Sequence, residues 1–152
     1  MNTISTDIIP YSDVHEQLPL LLEKLLGADK YLLSELTRGK IERILGTKSA
    51  VPGVYLISQI DDEMPVYVGR SKNLAQRIGT DHRAIQKTQA TLALRLWKQG
   101  IEEISCMKTA REYMYKRYNV RMLPINNVYT RTIFEVYAAM NLCTEQNSFM
   151  EH

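Results

Sequence analysis

The chain contains 152 residues, of which 45% are hydrophobic and 24% are charged. This length suits a single domain that buries a core without disulfide or zinc support, and the composition excludes a disordered chain. Lys and Arg number 19 against 17 Asp and Glu, so the overall charge of +2 favours no class of partner.

Cysteine use and hydropathy bear on the compartment. The two cysteines, Cys106 and Cys143, are far apart and belong to no metal-binding pair, so the sequence predicts free thiols, as is common in the cytoplasm. The first ten residues lack the features of a secretion signal, and the apolar residues 18–26 are too few to cross a membrane. We therefore expect a cytoplasmic protein without a membrane partner.

Residues 14–45 carry two helical patterns. Leucines recur at helical spacing before Gly27, at positions 18, 21, 22, 25 and 26, and a second apolar series ends at Gly46. The pattern predicts a helical hairpin, within an extension of residues 1–50 that packs on a core formed by residues 51–152. Packing, dimerisation and DNA contact are the functions that this segment admits.

After residue 50 the pattern changes from helix to strand. Residues 53–57 and 65–69 are rich in β-branched and aromatic side chains, and three acidic residues, 61–63, separate them. They predict a β-hairpin with strands at 53–58 and 65–69, and residues 119–125 predict a third strand. The predicted fold is α/β: a small, three-stranded, mainly antiparallel sheet flanked by helices, with the N-terminal helical hairpin added.

Two tyrosines stand close to glycines on the predicted hairpin. The tripeptide 53–55 is Gly-Val-Tyr, and the tripeptide 67–69 is Tyr-Val-Gly. The second strand leads directly into a helix whose start is polar and basic, with Asn73 as a candidate N-cap. The free N–H groups of such a first turn, together with Ser71 and Lys72, would suit a phosphate.

These residues resemble the GIY-YIG nuclease family. The tripeptides look like its two name-giving motifs, and the run from residue 67 through Asn73 to Arg77 follows its Y-I-G-x-S-x-N-L-x-x-R pattern. Farther on, Glu135 in an apolar helical pattern and Asn147, twelve residues later, look like the family's catalytic glutamate and later asparagine. The resemblance covers residues 51–152, and the tail from residue 147 is similar to the ending of small stand-alone bacterial members.

The neighbours of Glu135 indicate a cation independently of that resemblance. It is the only charged residue between positions 133 and 143, and its helical neighbours at 138, 139 and 142 are apolar. A carboxylate in such a setting needs a partner. A divalent cation is one candidate, and an ion pair with Arg131 or Arg121 is the alternative.

The resemblance implies hydrolysis of a phosphodiester with one divalent cation, Mg²⁺ or Mn²⁺, held by Glu135. Tyr55 would act as general base or position the attacking water, and Tyr67 would orient the water or the phosphate. Arg77 would stabilise the charge of the pentacovalent phosphate, and Asn147 would hydrogen-bond the phosphate or the groups around it.

One position departs from the family pattern. Members often carry His or Tyr four residues after the helix arginine, where this chain has Asp81, and the histidine, His82, comes one residue later. Either the helix is bulged and His82 fills the catalytic role, or the role is absent.

The basic residues cluster after the second tripeptide. Residues 70–121 carry 12 basic and 4 acidic side chains, a local charge of +8, with aromatic residues between them. Such a stretch is typical of a nucleic-acid surface, although basic helix faces are also common without that function. The candidate contacts are Arg70, Lys72, Arg95 and Lys116. The resemblance implies double-stranded DNA, while the residues themselves leave RNA and branched DNA open.

The sequence supports three functions. The first is a metal-dependent DNA endonuclease, for which cutting of both strands by one small site would suggest a homodimer. The second is a non-catalytic nucleic-acid-binding module that kept the fold, and the third is a protein-interaction domain that uses residues 14–45. The joint presence of both tyrosines, the arginine, the glutamate and the asparagine favours the first, because a non-catalytic module has no chemical reason to keep all five.

Overall fold

The computed structural model describes residues 4–84, 86 and 90–149; residues 1–3 of the predicted extension and 150–152 of the tail lie outside this description. In the described part, the α-helices are α1 (Tyr11–Gly27), α2 (Arg38–Leu45), α3 (Leu74–Gln76), α4 (Thr91–Lys98), α5 (Met107–Arg117) and α6 (Val128–Leu142). The strands are β1 (Tyr31–Leu32), β2 (Gly53–Gln59), β3 (Pro65–Ser71) and β4 (Tyr118–Pro124). A 3₁₀ turn covers Leu33–Glu35, and a π-helical turn, Arg77–Asp81, continues α3.

The strands form one antiparallel sheet in the order β1-β4-β2-β3, which leaves β3 at an edge. The predicted α/β fold with an antiparallel sheet is confirmed, but the sheet has four strands in place of three. The additional strand, β1, is two residues long and pairs Tyr31 with Val120. Two residues are too few to display the alternation that identifies a strand, so the sequence assigned them to a helix.

Helices cover both faces of the sheet, and each face has its own hydrophobic core. One core joins α1 and α6 to the sheet through Val14, Leu18, Leu25, Val54, Leu56, Val68, Phe134 and Ala138. The other joins the 3₁₀ turn, α2, α4 and α5 to the opposite face through Leu33, Leu36, Ile41, Tyr55, Ile57, Leu92, Leu96 and Met114. Among the described residues no helix has the length and hydropathy that spanning a membrane requires.

The two N-terminal helices therefore lie on opposite faces of the sheet. The α1 helix packs on α6 and β4, and the α2 helix packs on α3 and the π-helical turn. This arrangement differs from the predicted helical hairpin. Periodicity identifies the apolar side of a helix but not the surface that this side covers, and β1 carries the chain along the sheet between the two helices.

Candidate active site

The pairing of β2 with β3 places the two motif tyrosines on one face of the sheet. Tyr55 lies opposite Gly69 and Ile57 lies opposite Tyr67, so the tyrosines are diagonal neighbours with ring centroids 6.1 Å apart. The Tyr55 ring covers Gly69, because a Cβ atom built on this glycine would lie 2.2 Å from Cζ of the tyrosine. The glycine of the second motif thus makes room for the tyrosine of the first.

The π-helical turn brings His82 to Tyr55. The His82 N–H donates to the Arg77 carbonyl at 2.9 Å, a step of five residues that inserts one residue compared with an α-helix. Nε2 of His82 consequently lies 2.6 Å from the Tyr55 hydroxyl, and the ring centroids are 5.4 Å apart. Of the two alternatives that the sequence left, the structure has the bulge, and His82 rather than Asp81 faces the tyrosine.

Burial keeps both members of this pair neutral. Tyr55 and His82 are 0% and 1% exposed. Burial, assisted by Tyr67, raises the pKa of Tyr55 well above its ordinary value of 10, and the Arg77 charge only partly opposes this shift. Burial, followed by repulsion from Arg77, lowers the pKa of His82 from 6.5 to about 3. At neutral pH the pair is a phenol hydrogen-bonded to a neutral imidazole.

The Arg77 guanidinium is held from two sides beside the tyrosines. Its Nη1 lies 3.7 Å from Oδ2 of Asp81, and its Nη2 donates to the Thr91 hydroxyl at 2.9 Å. The same group interacts with the Tyr55 and Tyr67 hydroxyls. Because the protein's own side chains make these contacts, Arg77 is a pre-oriented cation.

Glu135 lies on α6 with 13% of its side chain exposed, and it pairs with Arg70, whose Nη1 is 3.6 Å from Oε1. Burial raises the pKa of Glu135, while the Arg70 charge opposes the shift. Neither ion-pair partner considered from the sequence is used: Arg131 donates to two main-chain carbonyls, and Arg121 pairs with Glu63 at 3.8 Å. The partner of the carboxylate is thus Arg70, which the sequence predicts as a nucleic-acid contact.

A cleft of about 330 Å³ opens at the β3 edge of the sheet. Side chains from both faces meet there, since Tyr67 belongs to the face of α4, whereas Arg70 and Glu135 belong to the face of α6. The lining residues are Tyr67, Arg70, Thr91, Arg95, Glu135, Asn147, Ser148 and Phe149. The buried rings of Tyr55 and His82 contact Tyr67, and the partly buried Arg77 lies beside them.

Asn147 fastens the C-terminal segment to the sheet edge. Its Oδ1 accepts from the Val68 N–H at 2.8 Å, and its Nδ2 donates to the Val68 carbonyl at 2.6 Å. The Thr144 hydroxyl also donates to Oδ1, at 2.7 Å. The amide thus pairs with β3 as a neighbouring strand would, beside Tyr67. The family resemblance implies hydrogen bonds from Asn147 to the phosphate or to the groups around it, and in this structure both amide atoms are bonded to the Val68 main chain.

The predicted nucleic-acid contacts are only partly gathered at the cleft. Arg70 and Arg95 line it. Lys72 is exposed in the turn after β3 but is not among the lining residues, and Lys116 lines a separate cavity beside Glu112. The structure therefore joins two of the four predicted contacts to the site.

Several cations of the basic stretch have structural partners. The Arg83 guanidinium donates to the Leu33 carbonyl at 2.8 Å, and Arg111 donates to the Arg83 carbonyl at 3.2 Å. Arg117 lies 3.5 Å from a carboxylate oxygen of Glu103. The local charge of +8 consequently overstates the charge that is free to meet a ligand.

Three residues that line the cleft were not singled out from the sequence: Thr91, Ser148 and Phe149. Thr91 begins α4 and holds Arg77, and Phe149 is 50% exposed on the cleft wall. Phe149 follows Asn147 by two positions, so its place in the C-terminal segment was the available signal. Nothing local identifies Thr91, because its contact spans 14 positions along the chain.

The donor set fits a single hard cation. The described residues contain no group of three or more His, Cys, Asp or Glu side chains that could surround a metal ion. Mg²⁺ often takes one carboxylate and fills its other positions with waters and substrate phosphate oxygens. A lone, partly desolvated Glu135 beside an open cleft provides that carboxylate and the space for the other ligands.

Fold and site together define a small α/β protein with a polar cleft, lined by cations and a carboxylate, at a sheet edge. Residues 51–122 match the family model of the GIY-YIG catalytic domain. The chain therefore carries a GIY-YIG domain, which is a nuclease fold, as the tyrosine motifs predicted. Glu135 and Asn147 lie beyond the matched residues. Neither the curated proteins nor the solved structures contain a match.

Proposed function

We propose that this protein is a metal-dependent endonuclease that hydrolyses phosphodiester bonds in DNA. The observation that carries the proposal is the meeting of Glu135, Arg70 and Tyr67 in one cleft, with the pre-oriented Arg77 directly behind. A phosphodiester brings negative charge and needs an oriented water. These side chains provide a cation site, positive charge and hydroxyl groups within one nucleotide-sized space.

Glu135 is the residue that would hold Mg²⁺ or Mn²⁺. A cation bound there would polarise the phosphoryl oxygen and stabilise the leaving 3′ oxygen. In the structure the carboxylate pairs with Arg70, whose side chain is 42% exposed and has room to turn. We infer that Arg70 moves to a phosphate oxygen on binding and thereby leaves Glu135 to the cation.

The two tyrosines have different roles toward the attacking water. Tyr67 lines the cleft, so its hydroxyl orients the water. Tyr55 is fully buried and interacts with Tyr67, so it acts as a base through Tyr67: the water proton passes to the Tyr67 oxygen, the Tyr67 proton to the Tyr55 oxygen, and the Tyr55 proton to Nε2 of His82. Arg77 stabilises the charge that develops on the phosphate. Asn147 keeps β3, and with it Tyr67, in position.

Double-stranded DNA is the proposed substrate, contacted by Arg70, Lys72, Arg95 and Lys116. Cutting both strands requires two sites, so we propose a homodimer on the duplex. We place the activity in the cytoplasm, which agrees with the free thiols of Cys106 and Cys143. We also propose that residues 1–50 form an N-terminal extension and that residues 51–152 form the nuclease domain.

The test is cleavage of supercoiled plasmid and labelled duplexes with Mg²⁺ or Mn²⁺. Wild type should nick or linearise the plasmid, and Glu135→Gln should lose this activity because the cation loses its protein ligand. Glu145→Gln is the matched control, since Glu145 is an exposed carboxylate just beyond α6. Equal cleavage by wild type and Glu135→Gln would place the metal elsewhere.

One observation favours a non-catalytic nucleic-acid-binding module as the second candidate. The Glu135 carboxylate is already neutralised by Arg70, and the Tyr55 hydroxyl resists ionisation. If the protein is such a module, Glu135→Gln should bind duplex DNA as tightly as wild type does. Neither protein should then cleave DNA with Mg²⁺ or Mn²⁺. Metal-dependent cleavage by wild type excludes it.

A further inference from the structure

Asp81 has two partners in the π-helical turn. Its Oδ2 lies 3.7 Å from Nη1 of Arg77, and its Oδ1 accepts from Nε2 of Gln76 at 3.1 Å. The side chains of Asp81 and Arg77 are 22% and 21% exposed, so the contact is largely shielded from solvent. The residue that departs from the family pattern therefore forms an ion pair with the candidate transition-state cation.

The contact continues into the N-terminal segment. Oε1 of Gln76 accepts from Nη1 of Arg38 at 2.6 Å. The start of α2 also touches the turn itself, because a Cβ atom built on Gly79 would lie 2.4 Å from the Arg38 nitrogen. A chain of polar contacts thus runs from Arg38 through Gln76 and Asp81 to Arg77.

The polar contacts from Arg38 to Arg77 stabilise the π-helical turn. Such turns are rare and have poorer backbone geometry than an α-helix, so they persist where other contacts hold them. Here the inserted residue directs Asp81 to Arg77 and His82 to Tyr55 at the same time. Contacts that hold the turn therefore also hold two groups of the site.

We propose that Asp81 is a positioning residue for Arg77, and that Gln76 and Arg38 make the N-terminal segment part of the support of the active site. The proposal rests on the proposed function, since Arg77 is taken to act on the phosphate. Asp81 itself touches neither substrate nor reacting atoms. It restricts the guanidinium to one orientation, which matters most in the transition state.

The first test is the kinetics of Asp81→Asn, which keeps an acceptor for Gln76 and removes the charge facing Arg77. We expect kcat for plasmid cleavage to fall about ten- to a hundredfold, with KM nearly unchanged. Asp61→Asn, in the exposed hairpin tip, is the matched control and should keep the wild-type kcat.

The second test asks whether Asp81 acts through Arg77. In an Arg77→Lys background, Asp81→Asn should lower kcat less than about twofold, because the guanidinium group that Asp81 orients is no longer present. An equal loss in both backgrounds would overturn the proposal. Arg38→Met should reproduce part of the loss, about two- to fivefold in kcat, while Arg43→Met on the exposed side of α2 should have no effect.

A spectroscopic readout separates this proposal from the proposed function. In ¹⁵N–¹H spectra of arginine side chains, the Arg77 signal, assigned by its absence in Arg77→Lys, should shift and broaden in Asp81→Asn and stay fixed in Asp61→Asn. If wild type cleaves no DNA, the proposed function fails while this readout still reports on the contact. An unmoved Arg77 signal in folded Asp81→Asn would overturn the positioning role in either case.

Discussion

The Tyr55 hydroxyl lies 2.6 Å from Nε2 of His82, and the two side chains are almost completely buried. Burial raises the pKa of the tyrosine and lowers that of the histidine to about 3. A phenolate at rest is therefore excluded at neutral pH. If Tyr55 acts as a base, its proton must leave along this hydrogen bond during the reaction, which makes His82 part of the site.

The first prediction concerns pH. The unfolded chain protonates His82 near its ordinary pKa of 6.5, whereas the folded protein resists until about pH 3. The unfolded state thus binds more protons in this window, and the free energy of unfolding should fall as pH drops from 6.5 towards 3, by up to about 1.4 kcal/mol per pH unit from this group. When the free energy of unfolding is measured by urea denaturation at several pH values, it should change less steeply with pH in His82→Gln than in wild type.

His15→Gln is the control for this measurement, because His15 is exposed on α1. It should retain the pH dependence of wild type. If the free energy of unfolding of His82→Gln depends on pH as steeply as that of wild type, His82 is protonated in the folded protein over the same pH range as in the unfolded chain.

The second prediction concerns Gly69. An alanine there would bring its Cβ within 2.2 Å of the Tyr55 ring, so the ring must leave its place or β3 must shift. We expect a loss of about 1–3 kcal/mol in the free energy of unfolding, measured by urea denaturation. Gly27→Ala is the control, since no atom lies within 4 Å of that Cβ position. Equal stability of both variants would contradict the close contact of Tyr55 with β3.

The third prediction concerns Asn147. Asn147→Ala removes both side-chain bonds to the Val68 main chain and should cost about 1–3 kcal/mol of stability, together with cleavage activity, because the cleft wall beside Tyr67 loosens. Asn141→Ala is the control, since Asn141 is exposed and bonds only to its own helix among the contacts described. Activity lost without any loss of stability would instead favour a direct contact of Asn147 with phosphate.

The fourth prediction concerns DNA binding. Arg95 lines the cleft, so Arg95→Glu should weaken duplex affinity about tenfold and reduce the slope of log affinity against log salt by about one. A smaller loss is expected for Lys116→Glu, because Lys116 lines a separate cavity. Lys24→Glu on α1 carries the same charge change outside the cleft and should bind as wild type does. Fluorescence anisotropy with a labelled duplex over a salt series measures all three.

Three of the four strands, β2, β3 and β4, and the tyrosine motifs could be predicted from the sequence because their signals are local. The abundance of β-branched and aromatic residues predicts β2 and β3, and each motif glycine stands within two positions of its tyrosine. Residue 135 could also be singled out locally, since one carboxylate in an apolar helix needs a partner whichever way the chain folds.

The partners of these residues were decided by the tertiary structure alone. Arg70 contacts Glu135 and Thr91 contacts Arg77 across long stretches of the chain. Because β3 is an edge strand, α4 on one face of the sheet and α6 on the other contribute to one cleft. No local pattern encodes which strand is at the edge, since this depends on pairings between residues far apart in the chain.

Whether Asp81 or His82 faces Tyr55 was also determined partly by the sequence and partly by the tertiary structure. The sequence determined that a histidine stands one residue too late for a regular helix. Only the folded chain decided that the turn widens by one residue, because the contacts of Asp81 and the packing of α2 on Gly79 hold the π-helical turn in place. The α2 contacts come from Arg38, which reaches Gln76 and Gly79 across about 40 positions of the chain, and a spacing rule along one helix does not include them.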